Sequence, residues 1–110
     1  MTVSSIEEII EKALSRFDPE RSGGVDASVQ IHLTGNQAGN WLVTICDQKL
    51  SVEPGTISDP DLTFTADSED VLKVYNRDLD PIQAYFLGKV RFRGDISLAM
   101  RLASLFHYPK

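Results

Sequence analysis

The first apolar pattern along the chain has the period of a helix. Apolar residues recur at helical spacing from Ile6 to Phe17, and this run is preceded by Ser5 and Glu8. A serine followed three residues later by a glutamate is a capping box, in which the two side chains satisfy the free N–H groups of the first turn. We therefore predict a first helix that begins after Ser5 and ends near Phe17, where the turn sequence DPERSGG follows.

Strict alternation of apolar and polar residues comes next and predicts strands. The predicted strands cover residues 27–33, 41–46, 49–53 and 62–66, and the second of these segments, WLVTIC, is apolar at most positions rather than strictly alternating. The second and third of these segments are joined by Asp47 and Gln48 alone. A two-residue hairpin usually contains glycine, because both central residues can require a positive φ, so the type of this turn stays open.

Helical spacing returns in the second half of the chain. Asp67 precedes a run with apolar residues at 71, 72, 74 and 75, which predicts a second helix capped by that aspartate. A short third helix is expected to begin at Asp80-Pro81 and to end at Gly88. The fifth strand follows over residues 89–93, and Gly94-Asp95 then caps a last helix.

The fifth strand carries three cations in alternation with apolar residues. Lys89, Arg91 and Arg93 alternate with Val90 and Phe92, and the other strands have one polar face as well. Such one-sided alternation is typical of a sheet covered by helices on a single face. The three cations are therefore expected on the solvated face. Two interpretations stay open: a charged edge that discourages strand pairing, or a patch that contacts anionic membranes or lipid head groups.

The last helix, ISLAMRLASLF, has a wide apolar surface. Its only polar residues are Ser97, Arg101 and Ser104, which form one narrow stripe. A surface helix needs an apolar face only a little over 100° wide. The surplus indicates either a helix wedged between the sheet and another helix or a helix that lines a cavity, and periodicity does not separate these alternatives.

Composition and charge limit the classes of function. The 110 residues are 42% hydrophobic and 25% charged, which predicts one domain over residues 1–110 with a true core. The formal net charge of -5 argues against nucleic-acid binding. The charge is uneven, because residues 81–110 carry five basic side chains and one acidic side chain.

Two features of the chain favour an intracellular protein. Cys46 is the single cysteine, which excludes an intramolecular disulfide and suits a reducing compartment. Glu7, Glu8 and Glu11 stand where a signal peptide would need an apolar run, and no stretch reaches transmembrane length.

Residues that would support catalysis are scarce. His32 and His107 with Cys46 do not form a metal-ligand cluster, and neither a nucleophile elbow nor a phosphate-binding glycine loop is present. We expect His32 to be a solvated strand residue and Cys46 to be at least half packed. The sequence therefore predicts a protein that is not an enzyme and that needs neither a cofactor nor a metal.

The C-terminal third resembles a known family. The motif P-x-x-A-Y-F-x-G-K begins at Pro81, and G-D-x-x-L-A-M-R-L begins at Gly94. Together with the Trp41 strand and the segment DPDLTFTADS, these motifs are similar to the sterol carrier protein-2 family over roughly residues 6–106. The resemblance implies an α+β fold, in which a five-stranded mixed sheet is covered on one face by helices and encloses a hydrophobic tunnel. It also implies fatty acids, fatty acyl-CoA esters, phospholipids or sterols as ligands, and no catalytic residues.

The tunnel is expected beside the apolar surfaces of the fifth strand and the last two helices. Its predicted lining residues are Ile82, Tyr85, Phe86, Val90, Phe92, Leu98, Leu102, Leu105 and Phe106. Lys89, Arg91 and Arg93 are the candidates for contact with a head group or an anionic membrane surface. The alternative function is a scaffold, dimerisation or accessory domain for a lipid-modifying enzyme, without cargo of its own. The cargo and the oligomeric state stay open.

Two departures from the family pattern bear on these expectations. Arg77 stands where family members often have glycine, so Asn76 is expected to adopt the left-handed turn instead. The chain ends in HYPK, which lacks the peroxisomal tripeptide of eukaryotic members and favours a cytoplasmic protein.

Overall fold

The computed structural model describes residues 3–105, and these residues form five strands and four helices. In chain order the elements are α1 Ile6–Arg16, β1 Ala27–Thr34, β2 Gly39–Cys46, β3 Lys49–Pro54, β4 Leu62–Asp67, α2 Ser68–Tyr75, α3 Pro81–Phe86, β5 Val90–Gly94 and α4 Ile96–Ala103. Phe106, one of the predicted lining residues, lies outside the described residues. None of the helices described is long and apolar enough to cross a bilayer.

The strands form one mixed sheet in the order β3-β2-β1-β4-β5. β1 runs parallel to β4, and the other neighbouring pairs are antiparallel. The predicted α+β class with a five-stranded mixed sheet is therefore confirmed. Because β3 and β5 are the two edges, the basic strand identified in the sequence borders solvent along one side.

Short polar side chains begin each helix, as their positions in the sequence predict. Ser5 Oγ accepts a hydrogen bond from Glu8 N at 3.2 Å in front of α1. Asp67, Asp80 and Asp95 cap α2, α3 and α4 in the same way. Each cap satisfies an N–H group that has no partner inside its own helix, so the helix starts are set locally.

In two turns, residues other than glycine adopt a left-handed backbone conformation. Asp47 and Gln48 have φ angles of 53° and 61°, so the β2–β3 hairpin has positive φ at both of its central residues. After α2 it is Arg77 that has a positive φ, 66°, while Asn76 has a φ of -81°. The expectation that Asn76 would take the left-handed position was wrong. Asn76 instead serves as the C-cap, and its side-chain amide binds the backbone of Val3.

The polar face of the sheet is less solvated than the alternation suggests. Gln30 is only 1% exposed, because the loop after β3 crosses over it. Its amide donates to the carbonyl oxygens of Trp41 and Gly55 at 3.1 and 2.9 Å and accepts from Ile57 N at 2.8 Å. The expectation of a solvated polar face was therefore wrong at Gln30, where the hydrogen bonds to Gly55 and Ile57 fix the loop on this face.

Candidate functional site

A cavity of about 330 Å³ lies between α1 and the sheet. Its walls are apolar throughout, apart from the indole N–H that Trp41 carries. The lining residues are Ile6, Ile9, Ile10, Ala13, Val29, Ile31, Leu33, Trp41, Val43, Ile45, Leu50, Val52, Leu62, Phe64, Val71, Phe92, Ala99 and Leu102. A wall of this composition recognises a ligand by the apolar surface that it buries and offers almost no hydrogen bonds to orient it.

The lining follows from the two periods in the sequence. Ile6, Ile9, Ile10 and Ala13 share one face of α1, because residues three, four and seven positions apart lie on the same side of a helix. On the sheet, alternate residues point to the same face, so the apolar residues of β1 through β5 meet α1 together. α1 thus forms the roof of the cavity and the sheet forms its floor.

The floor residues show that the roof does not pack tightly on the sheet. Ile31, Trp41, Val43 and Phe64 point toward the helices, yet each is only half-buried. In a close-packed core such residues lose almost all of their accessible surface, because few voids larger than a water molecule remain. The space beneath α1 is therefore a built cavity rather than a packing defect confined to one side chain.

Hydrogen bonds fix both ends of the roof. At the N-terminal end, Ile6 N donates to Gln37 Oε1 at 2.8 Å. At the C-terminal end, Arg16 Nη1 donates to Tyr75 Oη at 2.6 Å. Asp18 N donates to the carbonyl oxygen of Leu105 at 2.8 Å, just beyond the helix. These contacts hold α1 over the sheet although its centre faces an empty space.

The structure places only part of the predicted lining set at the cavity. Phe92 and Leu102 are in its wall. Val90 and Leu105 are buried in core clusters, and Leu98 is packed against one of them, but none of the three borders the cavity. For these residues, ligand contact stays a prediction.

Three other predicted lining residues lie on the outside of α3. Ile82 and Phe86 are 66% and 80% exposed, and Tyr85 is also exposed. α3 buries only Ala84, which packs with Ala66 and Val90, and it leaves the side chains of Ile82 and Phe86 largely in solvent. The ring of Tyr85 lies beside that of Phe92 in the cavity wall, with 6.2 Å between the ring centroids. Their contact with a ligand stays a prediction as well, and the structure gives them a surface position.

The surplus apolar surface of α4 also faces outward. Leu98, Ala99 and Leu102 face the core or the cavity, whereas Ile96 and Met100 are 43% and 76% exposed. The wide apolar surface of this helix is therefore divided between an inner face and an uncovered outer face. The sequence suggested either a helix wedged between the sheet and another helix or a helix that lines a cavity. Within residues 3–105, neither alternative explains the exposed part of this surface.

The three cations of the basic segment do not lie together. Lys89 Nζ is 3.9 Å from Asp70 Oδ1 on α2, which is on the helical side of the sheet. Arg91 and Arg93 are on the opposite face, where they border a polar cleft. The expectation that all three share one face was wrong for Lys89, because this residue precedes the first residue of β5 and its side chain reaches α2.

Most of the cavity wall was missed at the sequence level. Most of the missed residues belong to α1 and to β1, β2 and β3, which supply the roof and the larger part of the floor, and the others are Leu62, Phe64, Val71 and Ala99. A usable signal was present, since the apolar stripe of α1 and the alternation of three strands each predicted an inward face. What the pattern lacks is the distance between the two faces, which decides between contact and cavity.

The thiol of Cys46 is exposed, in contrast to the packed position expected for it. A hydrogen bond and the negative charge of Asp26, followed by the charge of Asp47, raise the pKa of this thiol to about 11. The thiolate is the reactive form, so this environment suppresses nucleophilic chemistry. Within residues 3–105, no group of three or more His, Cys, Asp or Glu side chains is placed to hold a metal ion.

Comparison with known proteins places this geometry in a family. Residues 6–107 match the SCP-2 sterol transfer family. Sterol carrier protein 2 of Rattus norvegicus is 32% identical over 99 residues, which cover 87% of this chain and 18% of the rat protein. Hydroxysteroid dehydrogenase-like protein 2 of Xenopus tropicalis is 28% identical over 105 residues, which cover 93% of this chain and 25% of that protein. The chain thus spans a quarter or less of each of these two relatives.

Solved structures of sterol carrier protein 2-like 2 match over nearly the full length of both chains. The solution structure of palmitated sterol carrier protein 2-like 2 from Aedes aegypti has a TM-score of 0.71 and 30% identity, and the match covers 96% of each chain. Its size corresponds to that of the present chain, unlike the longer relatives. The match over residues 6–107 and this agreement in fold and sequence lead to one conclusion: the chain belongs to the SCP-2 sterol transfer family.

Proposed function

We propose that this protein binds a lipid acyl chain in the cavity beneath α1 and transfers it between membranes. The observation that carries the proposal is the apolar cavity of about 330 Å³, whose wall has the indole of Trp41 as its only polar group. This volume is at the lower end of the range of roughly 300–1,000 Å³ that is usual for small-molecule sites. Membership of a sterol transfer family and the palmitated relative from Aedes aegypti support the same reading.

The energetics of such a site depend on the length of chain that is buried. Each buried methylene contributes about 0.8 kcal/mol, so a sixteen-carbon chain would contribute on the order of 12 kcal/mol before costs. Association costs roughly 4–15 kcal/mol in lost freedom of motion. Binding is therefore favourable only for a ligand that fills most of the cavity, and short-chain acids are expected to bind weakly.

The cargo that fits this wall best is a flexible alkyl chain. The wall contains large branched and aromatic side chains from six or more elements, and an alkyl chain can bend between them. With almost no polar group in the lining, the carboxylate or other head group must remain at the mouth of the cavity, in contact with water. We therefore propose a fatty acyl ligand, with sterols as the competitors to be tested.

Transfer also requires contact with a membrane, and we assign this contact to the outer face of α3. Ile82, Phe86 and Leu87 are exposed there, next to Lys89. The occupant that fits this face is an anionic bilayer, because residues 81–110 carry five basic side chains and one acidic side chain within a chain of net charge -5. Apolar side chains would enter the interface while the cations meet the lipid head groups.

The decisive experiment fills the cavity from its floor. Val43→Phe places a larger side chain in the cavity, and Thr44→Phe places the same side chain on the opposite face of β2. We expect Val43→Phe to abolish binding of a fluorescent fatty acid while the protein stays folded, and Thr44→Phe to leave affinity within about twofold. Unchanged affinity in folded Val43→Phe would exclude this cavity as the binding site.

A second candidate function is an accessory domain of a lipid-modifying enzyme, without cargo of its own. The observation that favours it is that the match covers only 25% of hydroxysteroid dehydrogenase-like protein 2 of Xenopus tropicalis. In that relative the matching segment is therefore one part of a longer protein. Native mass spectrometry after gentle purification separates the two candidates. Co-purified lipid supports the carrier, whereas a ligand-free protein that also fails to bind added palmitate supports the accessory role.

A further inference from the structure

A second cleft, of about 520 Å³, lies on the sheet face opposite α1. Seven of its ten lining residues are polar, two of these are arginines, and none is a carboxylate. The lining residues are Gln30, His32, Ile57, Ser58, Pro60, Thr63, Thr65, Arg91, Phe92 and Arg93. Except for Phe92, the strand residues of this cleft alternate with those of the apolar cavity, so the sheet itself separates the two sites.

Strand register arranges the polar side chains in two parallel rows. Arg91 is paired with Thr65, and Thr65 with His32 on the next strand. Arg93 is paired with Thr63 in the row beside it. Neighbouring strands lie about 4.8 Å apart, and alternate residues of one strand are about 6–7 Å apart. The two guanidinium groups and the two threonine hydroxyls can therefore reach the same small ligand.

Neither arginine has an anionic partner in the part of the chain that the structure describes. Lys89 is paired with Asp70 and Arg21 with Asp18, but Arg91 and Arg93 form no ion pair with residues 3–105. His32 is held by a hydrogen bond of 2.6 Å between its Nδ1 and Asn40 Oδ1. Each of the two rows thus ends in an arginine whose donors are available, although the chain has a net charge of -5.

The floor of the cleft is rigid. The buried amide of Gln30 makes two hydrogen bonds, to Gly55 and Ile57, that fix the loop containing Ile57 and Ser58 over the sheet, and a third to Trp41 in β2. This loop forms the wall opposite the two arginines. A site whose walls are held in place before binding loses less freedom when a ligand enters, so weak individual contacts add up to measurable affinity.

We propose that this cleft binds a phosphate-bearing anion, either a phosphate monoester or a diphosphate. A phosphate group carries about 1.5–2 negative charges and three strong acceptor oxygens, which can engage two arginines and two hydroxyls at once. A carboxylate has two oxygens, and one bidentate arginine satisfies it. The proposal goes beyond the acyl-binding function and does not depend on it, because the sheet separates the two sites.

The competing explanation is that the arginines only protect an edge strand. β5 is at the edge of the sheet, and charged side chains on edge strands discourage pairing with other chains. That role needs no ligand and predicts that anions bind weakly and without saturation. Saturable binding at the cleft is therefore the property that separates the two explanations.

The test is a titration with pyrophosphate at low ionic strength. Binding is measured by isothermal titration calorimetry and by the changes in amide chemical shift of β4 and β5. The variant Arg91→Gln/Arg93→Gln removes two charges from the cleft. The matched control, Lys49→Gln/Lys73→Gln, removes two charges at exposed positions outside the cleft lining and away from α3, one on β3 and one on α2. We expect the cleft variant to weaken pyrophosphate binding by about tenfold or more, and the control to change it by less than about twofold.

Vesicles then identify the source of the phosphate group. Sedimentation with vesicles of phosphatidylcholine containing phosphatidic acid, compared with phosphatidylcholine alone, tests a lipid head group. If the cleft variant loses this binding and the control retains it, the anion is a head group, and if vesicles do not bind while pyrophosphate does, it is a free phosphate compound. Absence of saturable pyrophosphate binding, or equal weakening in both double variants, would overturn the proposal.

Discussion

The side-chain amide of Asn76 forms two hydrogen bonds with the backbone of Val3. Asn76 Oδ1 accepts from Val3 N at 2.7 Å, and Asn76 Nδ2 donates to the carbonyl oxygen of Val3 at 2.8 Å. A single residue at the end of α2 therefore fixes the chain three residues before α1 begins. Because α1 is the roof of the cavity, this pair connects the C-cap of α2 to the N-terminal end of that roof.

Asn76→Ala is expected to loosen the roof. The substitution leaves the partly buried backbone N–H and carbonyl groups of Val3 without their hydrogen-bond partner. This loss is expected to lower the free energy of unfolding by about 1–3 kcal/mol. A roof that opens more often should also release a fluorescent fatty acid faster. Urea unfolding measures the first effect, and stopped-flow displacement measures the second.

Asn36→Ala is the control for this change. Asn36 is exposed, and its side chain makes one hydrogen bond of 3.3 Å, to Glu69. The control is expected to alter stability by no more than about 0.5 kcal/mol and to leave the release rate unchanged. Equal release rates in Asn76→Ala and the native protein would show that opening at this end of α1 does not govern ligand exit.

Leu102 and Leu105 provide a matched pair for separating packing from binding. Both are buried in the same core cluster, but only Leu102 borders the cavity. Leu105→Ala should cost about 2–5 kcal/mol of stability, as expected for a leucine that is surrounded on all sides. Leu102→Ala should cost less, because one side of this leucine already faces a void, and it should change fatty-acid affinity more. Thermal unfolding together with ligand titration of both variants tests this order.

Arg77 allows the strain of the left-handed backbone to be measured. Its φ is 66°, where residues other than glycine are disfavoured. Arg77→Gly and Arg77→Ala both remove the side-chain interactions, and only the first relieves the backbone. We expect the glycine variant to be more stable than the alanine variant by about 1 kcal/mol in urea unfolding. Equal stabilities would mean that the backbone at this turn relaxes without glycine.

Cys46 is expected to react slowly with alkylating reagents. With a pKa of about 11, only about one thiol in a thousand is ionised at pH 8, far fewer than for an ordinary cysteine. Asp26→Asn removes the largest cause of the raised pKa, so the alkylation rate at pH 8 should rise, whereas Asp59→Asn should leave it unchanged. Rates measured from pH 7 to pH 10 by mass spectrometry test both variants.

The sequence predicted elements better than it predicted the site. Helix starts at Ser5, Asp67, Asp80 and Asp95 were predictable because caps are local chemistry. The lining of the cavity depends on how far α1 stands from β1 and β2, and periodicity contains no information on that distance. The same limit applies to α3, whose apolar residues matched a family motif but whose single buried residue is Ala84.

The burial of Gln30 shows a second limit of predicting structure from the pattern of apolar and polar residues. Alternation correctly placed this residue on the face opposite the apolar cavity, but it did not reveal the loop that covers that face. The two hydrogen bonds by which Gln30 holds the loop, to Gly55 and to Ile57, join residues 25 and 27 positions apart. Such contacts have no signature in a local window, so the polar cleft could be recognised only in the folded chain.

The last prediction concerns the apolar face of α3. Phe86 is 80% exposed, so Phe86→Ser should change the free energy of unfolding by no more than about 0.5 kcal/mol. If α3 enters an anionic bilayer, this variant should slow transfer of a fluorescent fatty acid to vesicles containing phosphatidylserine, while fatty-acid affinity stays the same. Gln83→Ser on the same helix is the control, because it removes no apolar surface.

Salt and vesicle composition complete that test. Part of the proposed attraction to an anionic bilayer comes from the cations near α3, and salt screens that part. The difference in transfer rate between Phe86→Ser and the native protein should therefore be measured at low and at physiological salt. We expect native transfer to be faster to anionic than to neutral vesicles, and this advantage to shrink as salt is added. Identical transfer rates for Phe86→Ser, Gln83→Ser and the native protein under all conditions would show that membrane contact occurs elsewhere on the molecule.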